Sequence, residues 1–160
     1  MNTEIRDWPH FAIEMLSIVL LICCFIPLLK AGQLSGAEVP IHFDRTGAPD
    51  QMGTSKDLLW LPVMSFFIFA VLTLVEKFPK LMNTPRKLSE NGKEWLNANS
   101  WKFARELKLC LMALMCYICY WIYAVAAGKA TEMPIWGFTL FIAASLAVTI
   151  RFYYLLYNHN

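Results

Sequence analysis

Chemistry in this chain could reside in one short polar stretch, Val39-Pro40-Ile41-His42-Phe43-Asp44-Arg45-Thr46-Gly47-Ala48-Pro49-Asp50. An imidazole and two carboxylates, His42, Asp44 and Asp50, occur there in close succession, and side chains of these types bind Zn²⁺ when geometry gathers them. Conformation accounts for the same residues more simply. Pro40 biases Val39 toward an extended backbone, and Asp44 followed by Gly47 has the chemistry of a tight turn. The stretch therefore reads as an extended piece that folds back, with His42 and Asp50 hydrogen-bonding the loop onto the rest of the molecule. Neither a metal nor a catalytic role is assigned to it. The residues expected to meet any ligand are Pro40, His42, Phe43, Asp44, Gly47, Pro49, Asp50 and Lys56, because binding side chains concentrate on loops held by a rigid scaffold.

Two other patterns invite chemistry and receive a plainer reading. Cys116-x-x-Cys119 has redox spacing, yet it falls inside a long apolar run, where cysteine serves as a small packing residue. Glu14, Glu76 and Arg151 interrupt or border other apolar runs; a Glu14–Arg151 contact is the expected pairing. The sequence carries no phosphate loop and no paired-histidine metal motif, so no cofactor is expected and the chain reads as non-enzymatic.

The elements that must position these residues are set by composition. Of 160 residues, 58% are hydrophobic and only 16% charged, with a mean hydropathy of +0.45. A soluble domain carries roughly 25% charged residues, so this chain lacks the polar side chains to coat a water-facing surface. Its aromatic content argues against disorder, and a net charge of +2 gives no support to nucleic-acid binding. Five cysteines, an odd count, do not suit a secreted disulfide framework.

A hydrocarbon core of about 30 Å takes roughly 20 apolar residues in a helix. Four such runs occur, at about 11–29, 58–76, 108–127 and 135–156. The expected fold is thus all-α: a single integral membrane domain of four transmembrane helices. Acidic residues before the first run and the lack of a small-residue cleavage site at Lys30-Ala31-Gly32-Gln33 argue for a retained helix over a secretory signal. The connection at 77–107 and its border hold Lys77, Lys80, Arg86, Lys87, Lys93, Lys102, Arg105 and Lys108, whereas 30–57 holds three basic residues among four acids. By the positive-inside rule the basic connection is cytoplasmic, both termini are cytoplasmic, and the first loop is extracytoplasmic.

Finer signals follow. Thr54-Ser55-Lys56-Asp57 has the pattern of a capping box at the start of the second membrane helix, which Pro62 would bend. Ser89 is an N-cap for a basic connecting helix leading into the third span, although Gly92, Asn97 and Asn99 weaken its middle. Its interleaved Trp95, Trp101 and Phe103 suit interfacial anchoring. Ala124 with Gly128, and Ala143 with Ala147, are close-packing faces for the bundle or for a second copy.

Pro40-x-His42-Phe43, Gly47-x-Pro49-Asp50 and Gly53-x-x-Lys56 together resemble the signature of domain-of-unknown-function family 1648. The family comprises bacterial membrane proteins related to the N-terminal part of SdpI-like immunity proteins. Thr84-Pro85-Arg86-Lys87-Leu88-Ser89-Glu90-Asn91 is more weakly similar to the inner connection of its short four-helix members. The resemblance implies a bacterial inner-membrane protein with an outward-facing motif. Partners expected on this reading are the lipid bilayer and an extracellular peptide or envelope component, with a membrane-protein partner or a homo-oligomer as further options. Binding, sensing or an immunity-like role is the expected function; a structural accessory subunit, or an outer-leaflet enzyme using His42 and its acidic neighbours, are the alternatives.

Overall fold

The computed structural model describes residues 3–30, 36, 38–82 and 87–160. Thr84, Pro85 and Arg86 of the connecting segment, and Ala31, Gly32 and Gln33, lie outside them. The fold is predominantly helical: α1 (Thr3–Cys24), a short α2 (Ile26–Leu29), α3 (Trp60–Lys77), α4 (Glu90–Ala126) and α5 (Ile135–Asn158). Three helical segments, Ser55–Lys77, Glu90–Ala126 and Ile135–Asn158, are long and apolar enough to cross a membrane. The first helix presents a shorter apolar stretch, Trp8–Cys24.

Helix α4 is the axis of the molecule, and α1, α3 and α5 all pack on it. At 1.5 Å per residue its 37 residues extend about 55 Å, well beyond a hydrocarbon core of about 30 Å. Ser89 starts it as expected, its hydroxyl accepting from the Gly92 amide at 3.0 Å. The helix then runs unbroken through Gly92, Asn97 and Asn99. Tertiary burial outweighs their weak propensity: Leu96 and Phe103 pack with Phe152 and Leu156 of α5, and the Phe103 and Phe152 rings stack at 4.3 Å. The aromatic residues of the basic segment thus serve internal packing as well as any interface. At the same end the Asn160 side chain accepts from the Ser89 amide at 2.6 Å.

One expectation is corrected. The helix foreseen across 11–29 breaks at Phe25, because Pro27 has no N–H to continue the ladder and its ring crowds the preceding turn. Pro62 lies in the first turn of α3, where a missing N–H costs no ladder bond, and α3 continues past it. Of the small-residue faces, Ala124 is buried within the bundle, whereas Ala143 and Ala147 are exposed on α5, which is compatible with the second-copy alternative.

An all-α fold is also incomplete as a description. Between α2 and α3 the chain forms an antiparallel hairpin, β1 (Val39–Phe43) with β2 (Pro49–Gly53). Its register, Val39 with Gly53 and His42 with Gln51, is irregular on both sides of His42. A 3₁₀ turn, Ser55–Leu59, leads into α3. The Asp57 carboxylate accepts from the Thr54 amide at 2.7 Å and from its hydroxyl at 3.0 Å, the carboxylate half of the expected capping box.

Candidate functional site

The hairpin is built from local hydrogen bonds. Asp44 closes its turn: one carboxylate oxygen accepts from the Thr46 hydroxyl at 2.6 Å, the Thr46 amide at 2.7 Å and the Ala48 amide at 3.1 Å. These donors, led by the Thr46 hydroxyl, hold the Asp44 carboxyl below the usual carboxylate range. Gly47 completes the turn at φ 92°, a conformation that favours glycine. Its carbonyl accepts from the Met133 amide at 2.7 Å, which ties the hairpin to the connection between α4 and α5. A β-carbon on Gly47 would lie 1.9 Å from the Met133 carbonyl oxygen, so the approach requires glycine.

Across the strands His42 Nδ1 lies 2.6 Å from an Asp50 carboxylate oxygen. The pair the sequence expected to fasten the loop to the bundle is instead internal to the hairpin, and its side chains are 59% and 43% exposed. Fastening falls to Gly47 and to an apolar cluster in which Val39 and Leu58 pack with Ile122 of α4, flanked by Phe43, Leu61 and Ile118. Pro40 is fully buried. Lys56 is exposed on the 3₁₀ turn, and Pro49 opens β2.

Beside the hairpin lies a cleft of about 1060 Å³. Its rim carries His42, Asp44, Arg45, Asp50 and Asp57; its floor is formed by Leu61 of α3, Ile118 and Ile122 of α4, and Phe138 of α5. Of the expected ligand-contacting residues, Pro40, His42, Phe43, Asp44 and Asp50 line this cleft, whereas Gly47, Pro49 and Lys56 do not. The contributions of α4 and α5 had no signal in the sequence motif, because they come from apolar residues far along the chain. Among the described residues no group of three or more His, Cys, Asp or Glu side chains is placed to hold a metal.

A second polar site lies toward the basic end of the bundle. Lys108 is fully buried, and its ammonium donates to both Glu14 carboxylate oxygens at 2.8 and 2.9 Å and to Glu76 at 3.2 Å. Arg105 donates to Glu76 from Nε at 2.8 Å and from its terminal nitrogen at 2.6 Å. Two acids and two bases from α1, α3 and α4 thus form one neutral cluster. Measured along the helices, Glu76 and Lys108 lie about 24 and 27 Å from the hairpin-side ends of α3 and α4. The expected Glu14–Arg151 contact is not made: Arg151 pairs with Glu106, and Glu14 with Lys108. Polarity alone hid the cluster, since Lys108 looks like the last residue of a basic stretch. Spacing could have found it, because Ser100, Ala104, Lys108 and Met112 recur every four residues and all four are fully buried.

The five cysteines are free thiols. Cys24 of α1 neighbours Cys116 and Cys119 of α4 and Ser65 of α3 at the helix interface. Tyr117 donates to the Pro134 carbonyl, fixing the start of α5 against α4.

No family model matches this chain. No solved structure matches it either. An uncharacterised protein of Archaeoglobus fulgidus is 32% identical over 84 residues, covering 48% of this chain. The match takes in 45% of that protein, so the chain spans about half the length of the relative.

Proposed function

We propose that this is a four-span protein of the bacterial inner membrane whose hairpin stands on the extracytoplasmic face and recognises a ligand there. The observation that carries this reading is the cleft of about 1060 Å³, with the His42–Asp50 pair on its rim and an apolar floor from three helices. Ligand sites combine this kind of largely apolar concavity with a few convergent polar groups. The Trp8–Cys24 stretch, lengthened by α2, supplies the fourth span at about 30 Å. Lys77, Lys80, Lys87, Lys93 and Lys102 cluster at or beyond the end remote from the hairpin, which favours a cytoplasmic position for that end and for both termini. Likeness of the hairpin motif to family 1648 supports a binding, sensing or immunity-like role without an enzymatic step.

The test is loss of tolerance. A deletion strain challenged with secreted peptides of neighbouring bacteria should become sensitive, and wild-type protein should restore tolerance where His42→Ala at equal membrane level does not. Equal restoration by His42→Ala would sink the reading. A second reading, an accessory subunit of a larger membrane complex, draws on the exposed Ala143 and Ala147 of α5, a small-residue face suited to another helix. Crosslinking in native membranes that yields one stoichiometric partner through α5 would favour it.

A further inference from the structure

The polar rim of the cleft has one dominant sign. Asp44, Asp50 and Asp57 stand on it against a single guanidinium, Arg45, so the acids outnumber the bases even where His42 is protonated. Lys30 and Lys129, basic residues of the same end, lie over the Tyr123 ring and do not line the cleft.

Each carboxylate has spent one oxygen and kept the other. One oxygen of Asp44 takes the Thr46 and Ala48 donors, one of Asp50 meets His42, and one of Asp57 takes the Thr54 donors. The second oxygen of each accepts no hydrogen bond among the described residues, although an ionised carboxylate accepts through both. Trp60 adds an independent attraction. It lines the same cleft, is 67% exposed and carries no cation over its ring among the described residues; an indole face draws Lys and Arg side chains.

Below the rim the floor is apolar, with Ile118, Ile122 and Phe138. An occupant that matches both levels joins several positive charges to an apolar body. One small monocation would answer a single carboxylate and fill little of about 1060 Å³, a volume at the upper end of ligand sites, which run from roughly 300 to 1,000 Å³. A peptide segment that interleaves basic and apolar side chains answers the whole cleft.

Resting on the recognition reading above, we propose that the cleft takes a basic amphipathic peptide, its Lys or Arg side chains on Asp44, Asp50 and Asp57 and its apolar side chains on the Ile118, Ile122 and Phe138 floor. The test uses the full chain in nanodiscs of phosphatidylcholine, whose headgroups carry no net charge. Fluorescence anisotropy follows a labelled short peptide of alternating Leu and Lys, with binding to empty nanodiscs subtracted. That peptide should bind several-fold more tightly than its Gln-for-Lys version, and a Glu-for-Lys version should show no saturable binding. A Ser-for-Leu version should also bind several-fold more weakly. Variants should move affinity in opposite directions: Asp50→Asn weakens binding, whereas Arg45→Ala, which removes a competing cation that makes no ion pair among the described residues, tightens it. Glu132→Gln, at the same end but outside the cleft, should leave it unchanged.

Equal binding of the Lys and Gln peptides, or affinity indifferent to Asp50→Asn and Arg45→Ala, overturns the basic peptide. Full binding by the Ser-for-Leu peptide overturns it too, because the rim would then attract cations without the floor. If the peptide fails while His42→Ala still abolishes tolerance, the cleft recognises a ligand of other chemistry. If it fails and His42→Ala is also silent in the tolerance assay, the recognition reading falls with it.

Discussion

The hairpin and the Lys108 cluster solve the same problem, the placement of charged side chains in an apolar protein, in opposite ways. In the hairpin each carboxylate is satisfied by near neighbours: Asp44 by Thr46 and Ala48, Asp57 by Thr54, Asp50 by His42. All of these groups stay near water. In the cluster a fully buried lysine is satisfied by Glu14 and Glu76, from two other helices. The first arrangement leaves charges available to a ligand. The second uses them to fix three helices together, because a charge without its partner there has no water to turn to. On the proposed reading the hairpin recognises a ligand, while the cluster holds three helices in register.

The largest effect should come from breaking the cluster. Lys108→Ala leaves the Glu14 carboxylate, only 15% exposed, with Arg105 at 3.9 Å as its remaining ion-pair partner, and removing one partner of a buried ion pair costs about 3–5 kcal/mol. Thermal melting in detergent micelles should fall accordingly. Lys108→Met combined with Glu14→Leu leaves Glu76 paired with Arg105 and should recover most of the loss, since a buried pair replaced by apolar side chains is often close to neutral. A double variant as unstable as the single one would show that the cluster is not held by charge balance.

Gly47→Ala comes next, and its damage should be confined to the hairpin. A side chain there must adopt a positive φ and collide with the Met133 carbonyl; backbone strain of this kind costs on the order of 1–3 kcal/mol. Amide exchange should rise across 39–53 and at Met133 while the helices melt as before. Loss of helix stability as well would mean that the hairpin braces the bundle, which would erase the contrast between the two regions.

These two regions also differ in how far the sequence announces them. The turn at Asp44 and Gly47, the Thr54–Asp57 contact and the Ser89 cap were legible because each is made by residues within a few positions of one another. Long apolar helices were legible from composition. The Lys108 cluster was not, because Glu14 and Lys108 lie far apart in the chain, and which face of α1 meets which face of α4 depends on packing that no local pattern contains. The cleft was half legible: His42, Asp44 and Asp50 were in view, whereas Ile118 and Phe138 join them only once α4 and α5 are packed. The strand pairing was anticipated as a fold-back, but its irregular register at His42 was not.

His42→Ala should change stability little. An exposed pair contributes about 0–1 kcal/mol, so melting of the variant should match wild type even where tolerance is lost. A large drop in melting would reassign His42 to the scaffold and blur the division between a binding region and a bracing one.

The smallest effect is a local one on pH. Native hydrogen bonds from Thr46 and Ala48 lower the Asp44 pKa relative to the unfolded chain, where it is about 3.9. A depressed folded pKa means that the unfolded state binds the proton more readily. The contribution of Asp44 to the turn is therefore complete above the unfolded value and is lost as pH falls through the folded one. The Thr46 and Ala48 amide resonances of the full chain should shift together over that acidic window. Asp44→Asn should abolish the transition, because an amide side chain does not titrate there. If the transition persisted in Asp44→Asn, another group would be closing the turn, and the assignment of the hairpin's order to local carboxylate chemistry would fail.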